Sequence, residues 1–141
     1  MYEKYNENQV FIGIPFDESM ENILEVIQEA CKENRLDPKV VNQGIGANSI
    51  IDEIKNLIEE SEFLIIDLSL ENPNVYYELG YADGVGNEGS DILILAKEGT
   101  NLKFNIQHRR VHFYKDAYDL SKRLKTILPK FITESRNRLH Q

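Results

Sequence analysis

The sequence predicts an α/β domain of the flavodoxin-like type: a three-layer sandwich with a five-stranded parallel sheet, order 2-1-3-4-5, and helices on both faces. Three observations predict it. Short apolar runs alternate with amphipathic helical stretches along the chain, as βαβ units require. Two of those runs, residues 63–66 (FLII) and 92–95 (ILIL), are apolar at every position, as central parallel strands are when helices cover both faces. A length of 141 residues with 41% hydrophobic content suffices for one core and is too short for two. A single domain over 1–141 is expected, with loose ends at 1–8 and 136–141.

The first strand is read at residues 10–14, VFIGI. In the helix that follows, Met20, Ile23, Leu24, Ile27 and Cys31 recur at helical spacing, with Asp17 or Ser19 as the cap. The second strand is read at residues 39–41. Asn48 and Ser49 open a second helix whose apolar face is Ile50, Ile51, Ile54, Leu57 and Ile58. The third strand, 63–66, ends in Asp67. Asn72 followed by Pro73 is a strong helix start, because Asn caps and Pro at the first helical position leaves no N–H unsatisfied. The fourth strand is 92–95 and the fifth 111–114. The last helix, from about Ala117, carries Leu120, Leu124, Ile127, Leu128 and Phe131 on one face and ends in the polar tail SRNRLHQ, which is expected to fray.

Composition narrows the function classes. With 16 Lys plus Arg against 24 Asp plus Glu, the net charge of -8 repels a polyphosphate backbone, so nucleic acid is not an expected partner. A small anionic nucleotide is still admissible, because helix N-termini supply local donors. The N-terminus, MYEKYNENQ, has no apolar stretch of signal-peptide length and no run is long enough to span a bilayer, so a soluble, cytoplasmic protein is expected. Cys31 is the single cysteine, which rules out an internal disulfide, and His108, His112 and His140 lack metal-ligand spacing; no metal is expected.

In sheets of this order ligands bind beyond the carboxyl ends of the strands, where the strand order reverses, here between the first and third strands. The residues leaving that edge are Pro15, Phe16 and Asp17, then Asn42 and Gln43, then Asp67, then Lys97. Asp67 closes a wholly apolar run and is either a loop cap or a ligand contact. Glu78 lies about a turn and a half inside the helix that Asn72 opens. Val75 precedes it by three and Ala82 follows by four, so it shares a face with apolar neighbours. An ion-paired rim glutamate is the commoner outcome; a carboxylate held in a partly apolar site is the functional alternative. Gly84, Gly86 and Gly89 spell G-x-G-x-x-G but follow a helix, the reverse of the dinucleotide-binding context, and read as a helix stop. Gly44 and Gly46 do lie between strand and helix, where backbone N–H groups can approach a phosphate. The cluster His108, Arg109, Arg110 and His112 reads as a solvated loop, a phosphate clamp or an oligomer contact.

At residues 63–86, FLIIDLSLENPNVYYELGYADGVG, the chain resembles the nucleoside 2-deoxyribosyltransferase-like superfamily, which includes the bacterial TIR-like NAD-consuming domains. The opening VFIGIPF, the phrase IIDEIKNLIEESEFLIIDLS and the late NIQHRRVHFY extend the resemblance over most of the chain. It implies that Glu78 is the catalytic glutamate, attacking or stabilising the anomeric carbon of a ribosyl group, and that Asp67 lines the substrate site. Asn72 stands where the deoxyribosyltransferases carry an Asp, a departure that counts against the transferase branch. Pro15, Phe16, Asn42, Gln43, Asn74 and Tyr76 complete the expected substrate-binding set, with Tyr77 as a further aromatic.

Breaking an N-glycosidic bond develops oxocarbenium character, which a carboxylate stabilises by charge or traps covalently. A neutral base needs protonation as it leaves, whereas the nicotinamide of NAD is already cationic and departs neutral. One glutamate beside Asn72 suits the second case. The resemblance therefore implies an NAD glycohydrolase or ADP-ribosyl cyclase of a bacterial antiviral defence type, with NAD as substrate, no cofactor, and assembly into a homo-oligomer. The alternatives are a nucleoside or nucleotide 2-deoxyribosyltransferase or hydrolase, and a non-catalytic nucleotide-binding or interaction module. A phosphoacceptor receiver, using Asp67, Asp17 and Lys115, is disfavoured because Pro15 and Phe16 separate the acidic pair from the first strand and Ala96 ends the fourth strand where a hydroxyl is usual.

Overall fold

A computed structural model describes residues 5–41, 47–85, 91–103, 106 and 109–139. Five strands, β1 (Asn6–Gly13), β2 (Asp37–Lys39), β3 (Ser61–Asp67), β4 (Ile92–Lys97) and β5 (Val111–Tyr114), form one sheet of order β2-β1-β3-β4-β5. Every pairing is parallel, as the apolar runs and intervening helices predict. The helices are α1 (Glu21–Glu33), α2 (Ala47–Glu60), α3 (Pro73–Gly84) and α4 (Ala117–Leu139).

Alternation along the strands divides the core in two. Val10, Ile12, Phe63, Ile65, Leu93, Leu95 and Tyr114 face α1 and α4, where they meet Ile23, Ile27, Cys31, Leu120, Leu124 and Leu128. Phe11, Leu64, Ile66, Ile92, Ile94 and Ala96 face α2 and α3, against Ile54, Ile58, Val75, Leu79 and Ala82. Cys31 is fully buried, and burial pushes its thiol up to about 12. It is a packing residue.

Differences from the predicted boundaries have local causes. β2 pairs over Asp37–Lys39, two residues before the apolar run that marked it. Arg35 adopts a left-handed conformation (φ 61°) and Leu36 N donates to Cys31 O, a helix-end geometry that turns the chain into the strand early. Pro38, without an N–H, is tolerated because β2 is an edge strand. Ile51, placed on the apolar face of the second helix, is 45% exposed; α2 packs through Ile54 and Ile58, a turn further on. Asp17, not a residue of α1 itself, caps a short 3-10 turn at Glu18–Met20 by accepting from Ser19 N.

The ends are tied down further than composition suggests. β1 begins at Asn6, and a left-handed Asn8 (φ 71°) marks the irregularity in its pairing with β3. α4 continues through Leu139: Arg136 grips Glu62 by two hydrogen bonds of 3.0 Å and Asn8 by one of 2.8 Å, and Arg138 reaches Asp91 at 2.9 Å. Residues 6–8 thus belong to β1 and residues 136–139 to α4. Because Glu62 is buried, Arg136→Ala leaves its carboxylate without its cation. We expect a loss of about 2 kcal/mol, read as a fall in melting temperature of roughly 4–8 °C. An unchanged melting temperature would show that Glu62 is rehydrated at no cost.

Candidate active site

The reversal of strand order falls between β1 and β3, whose carboxyl ends are Gly13 and Asp67. Asp67 has no exposed surface. Its Oδ1 accepts from Ser69 N at 2.8 Å and its Oδ2 from the Tyr114 hydroxyl at 2.7 Å. Ser69 Oγ in turn accepts from Lys97 N at 2.9 Å. The carboxyl ends of β3, β4 and β5 are thus joined by one buried polar network. Burial holds the Asp67 carboxyl above the ordinary range, against the pull of its Ser69 and Tyr114 hydrogen bonds and the nearby Lys97 ammonium. Tyr114 is pushed up strongly, first by burial and then by the Asp67 charge.

Beyond Asp67 the chain makes a 3-10 turn, Ser69–Glu71, in which Leu70 (φ 64°) and Glu71 (φ 50°) are both left-handed. Two consecutive non-glycine residues in this region cost free energy that the anchored network below must offset. The turn delivers Asn72, which accepts from Asn74 N at 2.8 Å and caps α3 with Pro73 at its start, as the sequence predicts.

Glu78 projects from α3 toward the sheet. It is 7% exposed, and its Oε1 has no hydrogen-bond partner among the described residues. Burial alone raises its carboxyl from 4.5 to about 7. Its oxygen lies over the end of β1, where a Cβ on Gly13 would come within 2.5 Å of Glu78 Oε1. A carboxyl group is therefore held at the switch point, desolvated and without an ion-pair partner among the described residues, which is not the arrangement of a structural ion pair.

The other expected site residues divide. Asn72 serves as the cap, Asn74 is exposed beside it, and Tyr76 is half-buried with its hydroxyl accepting from Lys103 N at 3.1 Å. Tyr77 is 53% exposed on the same helix. Pro15 and Phe16 line a hollow of about 170 Å³ with Ile14, Met20, Leu24 and Val40, on the α1 side of the sheet, whereas Glu78 approaches from the α3 side. Asn42, Gln43, Gly44, Gly46, Gly86, Gly89, His108 and His140 lie outside the described residues. Of the basic cluster, Arg109 pairs with Asp83 at 2.7 Å, and burial first, then Arg110 and Arg123, lower the His112 imidazole. Among the described residues no three His, Cys, Asp or Glu side chains gather as metal ligands, and no helix is long and apolar enough to cross a membrane.

Three contributors are missing from the sequence reading. Gly13 is signalled only by a glycine within the strand VFIGI, a mark of close approach by another group. Ser69 and Tyr114 carry no local signal, since their role depends on strands brought together by the fold.

The same architecture recurs in solved structures. The CMP N-glycosidase of Clostridium botulinum superposes with a TM-score of 0.64 at 18% identity, covering 83% of this chain and 97% of that one. The 2-deoxyribosyltransferase of Leishmania mexicana gives 0.53 at 21% identity, over 62% of this chain and 63% of that one. What these structures share with this chain is the α/β fold, consistent with a nucleoside 2-deoxyribosyltransferase-like, TIR-like architecture. A TIR-STING receptor from C. gigas, solved with 2',3'-cGAMP, gives 0.62 at 10% identity, over 88% of this chain and 40% of that one. No family model matches the sequence, and no curated protein does. At these identities the likeness is one of fold, and the chemistry must be argued from Glu78 and its surroundings.

Proposed function

We propose that this protein cleaves the N-glycosidic bond of a nucleotide, with Glu78 as nucleophile or oxocarbenium stabiliser and NAD as the favoured substrate. The observation that carries the reading is the Glu78 carboxyl, buried at the strand-order reversal without a partner among the described residues. A carboxyl poised at about 7 is split between two chemical forms at neutral pH. The ionised form meets positive charge developing at the anomeric carbon. The protonated form can deliver a proton to a departing base. Nicotinamide leaves NAD as a neutral molecule and requires only the first. Asp67, with both oxygens engaged inside the protein, supports this division of labour, because among the described residues it leaves Glu78 as the buried carboxyl with an unpaired oxygen at this edge. The product is ADP-ribose, or a cyclised nucleotide if an internal hydroxyl replaces water, in keeping with a cytoplasmic defence or signalling enzyme that acts as an oligomer.

A second reading, hydrolysis of a pyrimidine nucleoside monophosphate, is favoured by the likeness to the CMP N-glycosidase, which this chain spans almost completely. The test is incubation with NAD, CMP and deoxynucleosides, following released base by chromatography, with Glu78→Gln in parallel. Nicotinamide release that the variant lacks supports the first reading. Cytosine release from CMP with none from NAD supports the second. Equal release by protein and variant from every substrate would remove Glu78 from the chemistry and the glycosidase reading with it.

A further inference from the structure

We propose that Gly13 is a positioning residue that keeps open the niche in which the Glu78 carboxyl rests, and so holds that carboxyl turned in against the end of β1. This rests on the reading of Glu78 as the reactive group. Gly13 ends β1 in register with Ile66 of β3. Unlike Gly99, whose φ is +91°, it is not among the positive-φ residues, so its backbone conformation is open to any residue. A strand glycine without a conformational reason is a packing loss, and it persists where another group needs the space. Here that group is the Glu78 carboxyl: a Cβ would lie 2.5 Å from Glu78 Oε1, 2.9 Å from Ile66 Cδ1 and 3.4 Å from Phe11 Cε2. The first is far inside any real contact, and Glu78 and Ile66 are both ends of flexible side chains. An added methyl therefore moves the side chains and leaves the sheet intact.

Of the two, the carboxyl has the stronger reason to leave. Ile66 is fully buried in the α2/α3 layer, whereas Glu78 Oε1 has no hydrogen bond to lose and hydration to regain. No charged side chain of β1, β3 or α3 among the described residues contributes to the elevation of the Glu78 carboxyl; burial is its cause. Expelling it from the niche returns it toward an ordinary glutamate and turns its oxygen away from the strand-order reversal.

The experiment follows the Glu78 carboxyl directly, by carbon-13 NMR titration of glutamate-labelled protein, with Glu78→Gln assigning its signal. The midpoint is expected near 7 in the unsubstituted protein. In Gly13→Ala, and in Gly13→Ala/Ile66→Val, where loss of Cδ1 removes the competing contact and secures folding, it is expected to fall by at least about one pH unit. kcat for base release is expected to fall more than tenfold while KM changes little, and the pH dependence to follow the new midpoint. A Glu78 midpoint unchanged in the folded double variant overturns the proposal. A midpoint that moves, with no base released from any nucleotide by any form, upholds the role of Gly13 and removes the glycosidase reading instead.

Discussion

Glu78→Gln is expected to abolish base release and, at the same time, to make the protein more stable above neutral pH. The loss of activity should be at least about a thousandfold, as for removal of a nucleophile or principal electrostatic stabiliser. The gain in stability follows from linkage. Folding raises the Glu78 carboxyl from 4.5 to about 7. Below pH 4.5 it is protonated in both folded and unfolded chains and has no effect. As pH rises through 7 the folded protein is forced to ionise a buried group, and the stability present at low pH is lost. The gap corresponds to about 3 kcal/mol. The variant carries no ionisable group there, so its melting temperature should match the unsubstituted protein near pH 4 and exceed it by roughly 6–12 °C at pH 8. A difference of the same size at both pH values would show that Glu78 is solvated, and with it the idea of a desolvated reactive carboxyl fails.

Asp67→Ala is expected to cost about 3–5 kcal/mol. The Ser69 N–H and the Tyr114 hydroxyl, both bonded to Asp67, are left in the core without that acceptor. The melting temperature should drop by roughly 10 °C or more. Activity should fall too, because the network fixes the strained turn that delivers Asn72 and α3, but Asp67→Asn, which retains an acceptor at the same place, should recover much of both. If Asp67→Ala instead folds with an unchanged melting temperature and is inactive, Asp67 acts on the substrate and not on the turn. The two variants thus move stability in opposite directions at pH 8, although both residues are buried acids. Asp67 is satisfied by its surroundings, and Glu78 is not.

The legible part of this molecule is the part encoded by short-range pattern. The uniformly apolar runs at 63–66 and 92–95 identify central parallel strands, and β3 and β4 are both buried on two faces. The Asn72–Pro73 start of α3 is local backbone chemistry and appears where it is expected. Spacing on α3 placed Glu78 beside Val75 and Ala82, and all three are buried together. Ile51 and the true extent of β2 were harder to read, since the first depends on where α2 meets the sheet and the second on a left-handed Arg35 that no propensity announces.

The sequence by itself determined the alternation of strands and helices, the helix that carries Glu78 and the face of that helix on which it lies, because each follows from periodicity and capping within a few residues; the strand order was expected from the flavodoxin-like class and is seen in the sheet. Only the tertiary structure decided that Asp67 is closed off by Ser69 and Tyr114, that Phe16 lies on the opposite side of the sheet from Glu78, and that Gly13 leaves room for the Glu78 oxygen. Apart from Asp67 with Ser69, two positions on, those relations join residues from 47 to 65 positions apart along the chain. Desolvation and steric fit act through space, and neither has a value until the strands and helices that bring such residues together have packed.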